Sequence, residues 1–82
     1  MDAIIINMKE PKNVVAAVLI DEKRKKVAEI LQTARVQKGI TQEQLSEMVN
    51  CRVQTIGKIE NARYSPNADI LYDLCDALEL KI

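Results

Sequence analysis

Apolar positions change their spacing along the 82-residue chain. In the first twenty residues they form two short runs rich in Ile and Val, residues 3–6 and 14–20, separated by a segment that holds the turn formers Pro11 and Asn13. The preferred reading is a β-hairpin. Its rival is a helix starting near Pro11, because Val14, Val15, Val18 and Leu19 also fit helical spacing and short apolar runs are ambiguous between the two periods. From Asp21 the spacing becomes helical. Val27, Ile30, Leu31, Ala34 and Lys38 follow one stripe, and Gly39 stands where a left-handed stop is wanted, so a first helix ends near Lys38. Thr41 caps a second helix over 42–49 with Leu45, Met48 and Val49 as its apolar face. Asn50 tolerates left-handed backbone angles and Cys51 follows as an apolar plug, so three or four residues reverse the chain before a third helix over 53–60. There Ile56 and Ile59 point inward and leave Gln54, Thr55, Gly57 and Lys58 outside. Ser65-Pro66 breaks the pattern, and Asn67 or Ser65 caps a fourth helix whose stripe is Ile70, Leu71, Leu74, Cys75 and Leu78. The alternation over 78–82 reads as a short terminal strand able to pair with residues 3–6. The expected fold is therefore mainly α: an extension over 1–20, hairpin preferred, then a four-helix unit over 21–82 whose second and third helices form a helix-turn-helix.

Composition narrows what such a unit can do. A chain this short makes one small domain, and with 48% hydrophobic residues it can build a core without a disulfide. Cys51 and Cys75 are too few for a thiolate cage and too far apart for a CxxC pair, so they read as buried thiols. The absence of histidine removes the commonest general base and zinc ligand, so neither an enzyme, a metal nor a cofactor is expected. The longest mainly apolar run, 14–20, is far below the roughly 20 residues of a membrane span, and no secretory signal is apparent; the expected place is the cytoplasm. Twelve basic and twelve acidic residues cancel, which at first argues against a phosphate-binding surface. The average conceals a gradient. Residues 35–63 carry five cations against three acids, whereas residues 64–82 carry Lys81 against Asp69, Asp73, Asp76 and Glu79. A mildly basic middle with an acidic back is compatible with duplex binding. The basic run over 23–26 reads as a solvated helix face rather than a phosphate clamp.

The stretch GITQEQLSEMVNCRVQTIGKIEN, residues 39–61, together with the preceding Ala34-Arg35 and the later Ser65-Pro66 before an amphipathic helix, resembles the XRE family of helix-turn-helix domains, the phage Cro and repressor type with a lambda-repressor-like fold. The resemblance covers roughly residues 27–78. It implies that Gln42 holds a phosphate, that the start of the third helix enters the major groove, and that the loop after it touches the backbone again. Gln54 and Lys58, four residues apart, then share a groove-facing stripe with Val53: the amide suits adenine, the ammonium suits guanine acceptors, and Val53 meets a thymine methyl. Thr55, Asn61, Arg63 and Tyr64 are the remaining backbone contacts. Arg35 and Glu60 match positions that form a partly buried structural ion pair in this family. Two departures stand out: Asn50 and Ala62 replace glycines, and Arg52 replaces the small hydroxyl residue that often caps the third helix. The implied function is a sequence-specific DNA-binding regulator, a repressor, acting as a homodimer on a palindromic site in double-stranded DNA. The alternative is an antitoxin or interaction adaptor that meets a toxin partner through residues 1–20.

Overall fold

The computed structural model describes residues 10–81, with side chains from Ile20 onward. Among the described residues there are four helices and no strand: α1 (Glu10–Gln37), α2 (Gln42–Met48), α3 (Val53–Glu60) and α4 (Ala68–Ala77). The hairpin expected at the N-terminus is corrected by α1, which runs straight through residues 14–20; the other arm, residues 3–6, lies outside the described residues. Pro11 is the second residue of α1, where its missing amide hydrogen costs nothing, and no glycine or further proline interrupts the chain before Gly39. The same Pro11 that signals a turn therefore signals a helix start. At 28 residues α1 is about 42 Å long.

The expected terminal strand is corrected as well. Leu78 caps α4, Glu79 adopts φ 59°, and the Leu80 N–H donates to the Cys75 carbonyl at 2.7 Å. Leu78 and Leu80 alternate with polar residues because the chain wraps back over the helix end and turns both leucines toward the core.

All four helices end the same way. The residue one past the cap is left-handed, and the amide after it reaches the carbonyl third from the end: Ile40 to Arg35 at 3.3 Å, Cys51 to Ser46 at 3.0 Å, Arg63 to Lys58 at 2.8 Å and Leu80 to Cys75 at 2.7 Å. The left-handed residues are Gly39, Asn50, Ala62 and Glu79. These stops keep α2 and α3 short and fix the turn between them. At the other ends, Thr41 Oγ1 accepts from the Gln44 amide at 3.0 Å while Gln44 Oε1 accepts from the Thr41 amide at 2.8 Å, a reciprocal cap. Asn67, not Ser65, caps α4, its Oδ1 accepting from the Ile70 amide at 2.8 Å.

The core is small. Leu31 and Ala34 of α1, Leu45 of α2, Ile56 and Ile59 of α3, and Leu74 of α4 with Leu78 form one buried cluster, sealed by Val27, Ile40, Val49, Ile70, Leu71 and Leu80. Each fully buried Leu or Ile contributes roughly 1.5–3 kcal/mol, so few are redundant. Cys75 is buried, which pushes its thiol pKa up, whereas Cys51 is only half-buried at the turn; both are free thiols. α1 packs on α3, α3 on α2 and α2 on α4. Ahead of Val27 the described side chains of α1 are exposed except Arg24. No helix among the described residues is long and apolar enough to cross a membrane, and they contain no cluster able to hold a metal ion.

Candidate nucleic-acid interface

Helical geometry divides α3 into two faces. Ile56, Ile59 and Glu60 are buried, and the 100° step per residue puts Gln54 and Lys58 on the opposite side, with half-buried Gly57 at the flank beside Gln42. Gln54 and Lys58 are exposed, one turn apart, on a single outward ridge. Val53 and Thr55 are half-buried at its flanks. This ridge carries an amide with donors and an acceptor beside a single ammonium, the equipment for reading base edges rather than only balancing phosphate charge. Arg52 occupies the N-cap without a side-chain cap bond, so the first amides of α3 lack that partner.

What fixes the ridge is a network under it. Arg35 of α1 donates from Nε to Glu60 Oε2 at 2.7 Å and from Nη2 to Oε1 at 3.0 Å, and its Nη1 donates to the Ile40 carbonyl at 2.8 Å. Gln42 at the start of α2 donates from Nε2 to the same Glu60 Oε1 at 2.9 Å. One carboxylate therefore ties α1 and α2 to the last turn of α3, and Arg35 holds the loop between α1 and α2 as well. Its side chain is 2% exposed, and the hydrogen bond and charge of Glu60 raise the Arg35 pKa further above an already high value. Gln42, expected at a phosphate, thus has one of its two amide N–H donors engaged inside the scaffold. That engagement spans 18 residues, beyond the reach of local pattern reading.

The loop after α3 carries the other expected contacts. Asn61 is exposed, and its Nδ2 donates to the Gly57 carbonyl at 2.8 Å, which leaves the side-chain oxygen free to accept. Arg63 and Tyr64 are exposed. Among the described residues Arg52, Lys58 and Arg63 make no ion pair, while Lys38 is neutralised by Glu79 at 2.7 Å. Asp69, Asp73 and Asp76 are exposed on α4. Unpaired cations thus stand on α3 and its flanking loops, as they also do at Lys23, Arg24 and Lys26 of α1, while α4 carries exposed acids and no cation. Two residues escaped the pattern reading. Arg24 of α1 donates from Nε to Ser65 Oγ at 2.7 Å, joining α1 to this loop across 41 residues. The signal was present: Arg24 is the cation on the same helical stripe as Val27 and Leu31.

The family model described as helix-turn-helix matches residues 31–82. Neither a curated protein nor a solved structure matches the chain. The matched span begins at Leu31, a buried residue of α1, and contains the whole of α2, α3 and α4.

Proposed function

Because the chain belongs to the helix-turn-helix family, in its XRE type of DNA-binding transcription regulators, we propose that it is a sequence-specific repressor that binds a palindromic site as a homodimer with α3 in the major groove. The observation that carries this reading is the outward Gln54–Lys58 ridge, backed by a buried carboxylate that holds three elements in register. Base discrimination needs donors and acceptors held to within a fraction of an ångström, and a ridge on a two-turn helix would wander without such an anchor. In this reading Gln54, Lys58 and Val53 face bases. Gln42, Thr55, Asn61, Arg63 and Tyr64 grip phosphates on either side. The unbonded first amides of α3, behind Arg52, suit a phosphate oxygen. A chromosomal target implies a cytoplasmic place.

One recognition helix spans few base pairs, so a second copy related by a two-fold axis supplies the rest, with centres about 34 Å apart. Hydroxyl-radical cleavage of a duplex carrying the native upstream region tests both parts. The expected pattern is two protected windows one helical turn apart on one face of the duplex. Uniform, sequence-independent protection would count against specific recognition.

A further inference from the structure

The basic turn at residues 23–26 is not uniformly solvated. Lys25 pairs with Asp21 one turn back, both well exposed, in the ordinary manner of a surface helix. Arg24 behaves differently. It lies on the stripe of α1 that continues from Leu31 and Val27, it is only half-exposed, and its guanidinium reaches across to Ser65 Oγ at 2.7 Å. Ser65 is two residues beyond Arg63, at most about 7 Å of chain. That bond engages Nε alone. The two terminal amino groups of Arg24 make no hydrogen bond or ion pair among the described residues, so a planar fork of donors stands beside the loop with one edge clipped in place.

We propose that Arg24 is a further DNA-backbone contact, which carries the line of Asn61, Arg63 and Tyr64 past the loop and onto α1. The proposal rests on the DNA-binding reading above and deepens it. A guanidinium already fixed at one edge loses less rotamer freedom on meeting a phosphate than a free lysine does, and its remaining donors match two phosphate oxygens. Ser65 then serves as the positioning residue. Because it spans from α1 to the loop after α3, the contact also ties the long first helix to the footprint.

The test is equilibrium binding of a random-sequence duplex, which needs no knowledge of the operator, measured by fluorescence anisotropy at several salt concentrations. Loss of one phosphate contact lowers the slope of log affinity against log salt by about 0.9, so the loss of affinity between about 50 and 200 mM salt shrinks by roughly threefold. Arg24→Gln is expected to show that change, Arg24→Lys to restore most of the slope, and Lys25→Gln to change it much less. An Arg24→Gln slope equal to the parent's would overturn the proposal, and so would an equal fall in Lys25→Gln, which would mean diffuse charge rather than a contact. A parent chain that binds no duplex at any salt overturns the underlying DNA-binding reading, and the proposal with it. That result is distinct from a parent that binds while Arg24→Gln keeps its slope.

Discussion

Glu60 accepts hydrogen bonds from two nitrogens of Arg35 and one of Gln42 with almost none of its side chain exposed, so the cost of removing a partner is set by the charge left behind. In Arg35→Ala the carboxylate keeps only the Gln42 amide, and stability should fall by roughly 3 kcal/mol, more than about 10 °C in Tm for a chain this small. Replacing Arg35 and Glu60 together by methionine should cost less than the sum of the two single changes, because neither charge is then stranded. Circular-dichroism melts of the three variants measure this. An Arg35→Ala melt coincident with the parent's would show the pair to be surface-like. The ridge above the network should also lose definition in the single variant, since the bond that orients the last turn of α3 is gone.

At the level of elements, the helix stops are where sequence and backbone geometry disagree most. Only one of the four left-handed positions is glycine; Asn50 tolerates the conformation, but Ala62 and Glu79 adopt it against steric resistance. Ala62→Gly should therefore stabilise by about 0.5–1 kcal/mol, seen as a rise of a few degrees in Tm, and a lower Tm would contradict the assignment of strain to that turn. What was legible in the chain was what depends on neighbours: the Gly39 stop, the Thr41 cap, the Asn50 turn, and the inward pair Ile56 and Ile59 that leaves Gln54 and Lys58 outside. What was not legible has two causes. Residues 14–20 satisfy both periods, and Pro11 opens a helix as readily as a turn, so local pattern could not decide between hairpin and helix. Leu78 and Leu80 alternate for reasons of chain wrapping that imitate a strand. The engagement of Gln42 by Glu60 and of Arg24 by Ser65 is long-range, fixed only when the helices pack.

For the molecule as a whole, the proposed palindromic site requires a second copy, and the surface between α1 and the C-terminal segment is the candidate place for it. An open groove of about 340 Å³ between them is lined by Glu29, Ile30, Thr33, Ala34, Gln37 and Leu80, with Ile30 half exposed to solvent at its rim. If this groove is the dimer contact, light scattering at micromolar concentration should return twice the 9.3 kDa chain mass for the parent and a single chain for Ile30→Glu. A parent that stays at one chain mass would remove the homodimer. The charge gradient suits the proposed arrangement, with the unpaired Arg52, Lys58 and Arg63 on and around α3 and the exposed Asp69, Asp73 and Asp76 on a different helix, α4. Whether that face reads sequence is decided by competition binding with Gln54→Ala, using the native upstream duplex and a scrambled duplex of equal length. The expected result is a loss of about 1–3 kcal/mol on the upstream duplex with little change on the scrambled one. Equal losses on both, or none on either, would contradict a base-reading role for the α3 ridge.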